Sequence, residues 1–92
     1  MKHRRTSRFR AAFEDLPRTV QEKAIKAFGL FRENRGHPSL QIEQIQGAGG
    51  IWSGRIEDHY RWTFHYVRDP ETDEIVCVHR VIGKHDEVYQ NP

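Results

Sequence analysis

From Ile51 to Tyr66 apolar and polar residues alternate with period two, on both sides of a short polar break at Glu57-Asp58. That pattern predicts two adjacent antiparallel strands, each with one buried face. In the first strand Trp52 and Ile56 share a face, opposed by Ser53, Arg55 and Glu57. In the second, Tyr60, Trp62, Phe64 and Tyr66 form an aromatic wall, opposed by His59, Arg61, Thr63 and His65. A hairpin of this kind turns the wall toward a core and aims Arg55 and Arg61 together out of the other side.

The period changes upstream. Phe9, Ala12, Phe13 and Leu16 recur at helical spacing, with Thr6 or Ser7 as N-cap. Pro17 ends this short helix and suits the first turn of the next, with Asp15 near the junction as a cap. The second helix runs to about Asn34, with Val20, Ala24, Ala27, Phe28 and Phe31 on one side, and Asn34-Arg35-Gly36 and Pro38 stop it. The two helices read as a hairpin whose stripe covers the aromatic wall. Residues 1–6 are rich in charge, and a short edge strand is the most they offer. Leu40–Gln46 begins the sheet with an ambiguous period, because Ile45 breaks the alternation of Leu40, Ile42 and Gln44. Gly47-Ala-Gly-Gly50 reads as a hairpin turn. It lacks the Lys-Ser/Thr and helix start of a phosphate-binding loop. After the polar loop Arg68–Glu74, Glu74–Ile82 is a nearly continuous apolar strand of the mid-sheet kind, and Gly83 bends the chain into a last segment, Lys84–Tyr89. The fold class predicted is α+β: an N-terminal helical hairpin packed on a small twisted antiparallel sheet, in one domain spanning residues 1–92.

Composition narrows the class. At 36% hydrophobic and 30% charged residues, the chain is globular but polar and needs most of its aromatics inside. Its single cysteine, Cys77, excludes an internal disulfide framework, and its apolar surroundings predict a buried, inert thiol. No apolar run approaches the ~20 residues of a membrane span, and the basic N-terminus lacks an apolar signal core, so a cytoplasmic protein with no membrane partner is expected. The net charge is only +2, yet Lys2, Arg4, Arg5, Arg8 and Arg10 precede any acidic residue. That basic start is either a solvated terminus or an electrostatic arm for nucleic acid or an acidic protein.

The residues able to do chemistry gather at the hairpin and the C-terminus. The guanidinium of Arg61 is a planar fork that matches two phosphate oxygens, and Arg55 has the parity to act with it as one clamp. Arg80 sits in a strand that is apolar on both faces, so its direction cannot be read. His85 follows Gly83 beside Lys84, Asp86 and Tyr89. Its imidazole can give or take a proton and, next to fixed arginines, suits protonation of a leaving 5′ oxygen in phosphodiester cleavage. Tyr89 suits stacking on a base or orienting that histidine; its structural alternative is a plug on the core. Arg80 and Lys84 complete the cations expected to bind substrate. His59, His65, His79 and His85 fit no established metal-ligand spacing, and no carboxylate pair is placed to hold magnesium, so no metal and no cofactor is expected. Nothing resembles an acyl-transfer nucleophile.

The order Phe9…Leu16-Pro17, helical hairpin, Gly47…Ile51-Trp-Ser-Gly-Arg-Ile56, Tyr60-Arg61 and Val81–Tyr89 resembles the RelE/ParE superfamily of bacterial type II toxins, above all its HigB-like and YoeB-like members. The resemblance spans nearly the whole chain and rests on the combination rather than on one motif. It implies a toxin paired with a cognate antitoxin, reaching operator DNA through it, and cutting mRNA on the ribosome without metal by attack of the 2′-hydroxyl on the adjacent phosphate. It assigns Arg55 to substrate contact, Arg61 to charge on the scissile phosphate, His85 to the leaving group and Tyr89 to positioning the nucleotide. Ser53 stands where some members carry a second basic residue. For the glutamate base of YoeB-like members only Glu43 and Glu57 are candidates. ParE-like inhibition of DNA gyrase and a catalytically silent module that binds antitoxin and DNA are the alternatives; the first lacks the histidine and tyrosine set present here.

Overall fold

A computed structural model describes residues 1–92. In chain order it contains β1 (Lys2–Arg5), α1 (Ser7–Glu14), α2 (Arg18–Glu33), a 3-10 turn (Pro38–Leu40), β2 (Glu43–Gln44), β3 (Trp52–Glu57), β4 (Tyr60–Arg68), β5 (Ile75–Lys84) and α3 (His85–Gln90). The five strands form one sheet in the order β1-β5-β4-β3-β2. β1 runs parallel to β5, and every other pairing is antiparallel. The α+β architecture is as predicted. The basic start is ordered as a parallel edge strand, which makes the sheet mixed.

Local chemistry accounts for most element ends. Thr6 caps α1: its Oγ1 accepts from the Phe9 N–H at 3.0 Å and donates to the Arg80 carbonyl at 2.9 Å, tying the helix to β5. Asp15 does not cap the next helix. It closes α1 as its C-cap, and Pro17 occupies the N-cap of α2, where its missing N–H costs nothing. The sheet does not begin at Leu40. That residue lies in the 3-10 turn, buried under the helices, and Gln41 follows at φ 45°, so regular pairing is confined to Glu43 and Gln44. Ile45, which breaks the alternation, lies just past β2, where its N–H donates to the Ile51 carbonyl at 2.9 Å. The central turn falls at Asp58-His59, one residue later than the alternation indicated, because the register shifts past Ile56 and Glu57 pairs with Tyr60. β5 does not bend at Gly83, which pairs with Arg61 inside the strand; the chain turns at Lys84 into α3.

The core lies between the helical hairpin and the aromatic wall. Trp62 and Phe64 are fully buried, and the rings of Phe28 and Phe31 meet Trp62 edge-on at 5.3 and 5.4 Å. Burying one such side chain contributes about 1.5–3 kcal/mol. Gly54 lets this happen, since a Cβ there would sit 2.2 Å from the Trp62 ring. At the open end of the wall Arg35 stacks on Trp52 at 4.7 Å and donates to the Tyr66 hydroxyl at 2.6 Å. Cys77 is fully buried, as expected, and burial pushes its thiol up to about 12. No helix is long and apolar enough to cross a membrane.

Candidate functional site

The face of the sheet away from α1 and α2 is crossed by the C-terminal segment. α3 is anchored at its start by the His85 N–H, which donates to the His59 carbonyl at 2.8 Å. At its far end Tyr89 Oη and Ser53 Oγ are hydrogen-bonded at 2.8 Å, and Pro92 O lies 3.5 Å from Thr63 Oγ1 and 3.0 Å from Arg80 Nε. α3 therefore holds His85 beside the β3–β4 turn and lays Tyr89 over β3. The two rings pack together, with centroids 4.4 Å apart.

Five of the six residues singled out from the sequence share this region, and Arg80 alone stands apart. Arg55 and Arg61 are direct cross-strand partners, and Gly83, two residues before His85, is the partner of Arg61 on the other side. Tyr89 reaches the same face one strand over. The environment of each cation is now defined. Arg55 pairs with Asp58 at 2.5 Å, and that pair holds the Asp58 carboxyl below the usual carboxylate range. Arg61 turns its Nη1 onto the carbonyls of Glu57 (2.5 Å), Tyr60 (3.0 Å) and Asp58 (3.4 Å), bracing the hairpin turn. Its Nε and Nη2 make no hydrogen bond to protein. His85 Nδ1 lies 3.1 Å from the Asp86 carboxylate, which leaves Nε2 on a side chain 50% exposed.

Lys84 occupies the N-cap position of α3 opposite Tyr60 and lines, with His59 and His85, an open cleft of about 670 Å³. The same cleft carries the carboxylates of Asp58, Asp86 and Glu87. Arg80 does not join the cluster. The register steps from Thr63–Val81 to Phe64–His79, so Arg80 is the extra residue of a bulge, and its guanidinium meets His65 Nδ1 at 2.9 Å and Pro92 O. It lies three residues along β5 from Gly83, about 10 Å at strand spacing. Burial, then the charges of Arg80 and Arg4, lower the pKa of His65.

The two candidate bases separate. Glu57 is committed elsewhere: its carboxylate accepts the His59 N–H at 2.8 Å and lies 3.6 Å from Lys23 of α2. Glu43 is the cross-strand partner of Ser53 and is exposed, so it shares the face that Tyr89 covers.

What sequence reading missed is a second cluster, on the helix side of the sheet. His3, Cys77 and His79 converge there. Cys77 and His79 are two apart on one strand, a legible signal; His3 arrives only through the parallel pairing of β1.

No protein-family model matches the chain, and no curated protein sequence matches it. Solved structures do. The chain is similar to a YoeB/ParE toxin from Agrobacterium tumefaciens, at 19% identity and TM-score 0.71 over 92% of this chain and 99% of that one. It is similar to a chain of the RelB-RelE antitoxin-toxin complex from Methanococcus jannaschii, at 14% identity and TM-score 0.69 over 97% and 99%. In the E. coli DinJ-YafQ complex the corresponding figures are 10% and 0.68, over 96% and 97%. At these identities the likeness is one of backbone, and it covers both chains almost completely. The chain thus has the fold of the RelE/YoeB/ParE-type toxins.

Proposed function

We propose that the protein is the toxin of a type II toxin–antitoxin pair and that it cleaves mRNA on the ribosome without a metal ion. The observation that carries this reading is a chain of neighbours: Arg55 and Arg61 are cross-strand partners, Gly83 opposite Arg61 leads in two residues to His85, and His85 packs on Tyr89, which bonds to Ser53 of β3. The fold it shares with RelE- and YafQ-type chains supports it.

In the proposed reaction the 2′-hydroxyl attacks the adjacent phosphorus. Its proton passes to a base, the P–O5′ bond breaks, and the 5′ oxygen takes a proton from His85. The products are a 2′,3′-cyclic phosphate and a 5′-hydroxyl. Asp86 at Nδ1 orients the imidazole so that Nε2 faces the leaving group. The unused Nε and Nη2 of Arg61 suit the charge that develops on the phosphoryl oxygens. Arg55 exchanges its exposed Asp58 partner for a phosphate at little cost, since water screens the carboxylate of that pair. Tyr89 positions the nucleotide, Lys84 and Arg80 attract the flanking backbone, and Glu43 is the better-placed base. The antitoxin is the protein partner, as in the RelB-RelE and DinJ-YafQ complexes, and operator DNA is reached through it.

A second reading, a silent module that binds antitoxin, draws on one observation: Asp58, Asp86 and Glu87 line the cleft beside His85 and repel an anionic substrate. A purified translation reaction with defined mRNA separates the two. Codon-phased cuts that require ribosomes and vanish in Arg55→Ala and His85→Ala support the nuclease. Intact mRNA with normal supercoiling leaves the silent module, and blocked supercoiling indicates gyrase.

A further inference from the structure

We propose that His3, Cys77 and His79 form a binding site for one thiophilic d10 metal ion, Cu(I) or Zn(II), on the helix side of the sheet. This site is separate from the face bearing Arg61 and His85 and does not depend on the nuclease reading.

The register builds it. His3 is the cross-strand partner of Cys77, and His79 lies two residues further along β5, so all three side chains leave the sheet on one side. One nitrogen of each imidazole and the Cys77 Sγ lie within 4.8 Å of one another. His3 Nδ1 and His79 Nε2 are already 3.0 Å apart, and the rings are nearly parallel at 12°. Two nitrogens bound tetrahedrally at ordinary Zn–N lengths sit about 3.3 Å apart, so these nitrogens need move by only a few tenths of an ångström.

The imidazole of His79 is well fixed: the residue is only 7% exposed and turns Nε2 toward His3, which leaves Nδ1, buried and without a hydrogen-bond partner, to carry the ring proton. The route in is a cavity of about 290 Å³ lined by His3, His79, Phe9 and Phe28, with Arg5 and Arg32 beside it.

The donor set defines the ion. Two imidazoles and one sulfur, with no carboxylate, select thiophilic metals over magnesium or calcium. On binding, Cys77 gives its proton to solvent and the thiolate becomes a ligand. Arg5 and Arg32, which line the cavity, oppose a dication more than a monocation, which ranks Cu(I) above Zn(II). Bound there, the ion would staple the edge strand β1 to β5.

The test uses the full chain, reduced and kept anaerobic, titrated with Cu(I) or Zn(II) against a chromophoric chelator. We expect one ion per chain for at least one of the two metals, a raised thermal midpoint, and X-ray absorption showing one sulfur and two imidazole nitrogens. His3→Gln, at an exposed position that need not disturb the core, should weaken binding at least about tenfold, as should Cys77→Ser. His37→Gln should bind like the parent. Failure of both metals to bind at one equivalent, or unchanged affinity in the folded His3→Gln protein, overturns the site.

Discussion

Arg55 and Arg61 face each other directly across the β3–β4 ladder, and each is satisfied by oxygens of the same turn. Like charges in direct opposition destabilise a sheet. Here Asp58 and the turn carbonyls supply the negative potential, and a phosphate would do so more strongly.

Removing one member of the pair should therefore separate folding from function. Arg55→Ala gives up an exposed ion pair and a like-charge contact, so its stability in urea should stay within about 1 kcal/mol of the parent. Growth arrest on induction should be lost. Retained toxicity in the folded variant removes Arg55 from the site.

Arg61 differs because its Nη1 braces three carbonyls. Arg61→Ala should cost about 0.5–1.5 kcal/mol as well as activity. Urea midpoints of Arg55→Ala and Arg61→Ala, measured side by side, check the ordering; equal midpoints mean the brace carries no stability.

Gly54 has no room for a side chain. Gly54→Ala places a methyl inside the van der Waals envelope of Trp62 and should destabilise by about 1–3 kcal/mol, with a change in tryptophan fluorescence as the indole moves. Gly83→Ala meets only Val88 Cγ2 at 3.6 Å and Glu87 Oε2 at 3.8 Å, so it should leave the Trp62 emission unchanged.

The Ser53–Tyr89 hydrogen bond holds α3 to β3. A double-mutant cycle of Ser53→Ala and Tyr89→Phe should return a coupling of about 0.5–1.5 kcal/mol. Additive effects would mean that α3 is held by Val88 and the backbone alone.

Acid should loosen the protein before it touches the carboxylates. The folded-state pKa of His65 is depressed, by burial first and then by Arg80 and Arg4. A depressed histidine favours the folded state above the unfolded value, about 6.5, and that contribution is lost as pH falls through the folded value. Stability should thus drop as pH falls below about 6.5, and His65→Gln, which keeps an acceptor for Arg80, should show a smaller drop. An identical drop in both proteins would exclude His65 as a source.

Side-chain period alone was enough to determine the wall of Trp62 and Phe64, the stripe from Val20 to Phe31 and the shared parity of Arg55 and Arg61, and it narrowed the cap of α1 to Thr6 or Ser7. Each depends on spacing along a few residues, where helix and strand geometry leave little choice. Only the tertiary structure decided what pairs with what. The parallel docking of β1, which brings His3 to Cys77 across more than seventy positions, leaves no local trace. Nor does the bulge that turns Arg80 toward His65, or the path of α3 that carries Tyr89 to Ser53. Backbone ladders specify partners through hydrogen bonds every residue can make, so the choice among them falls to packing of the whole chain.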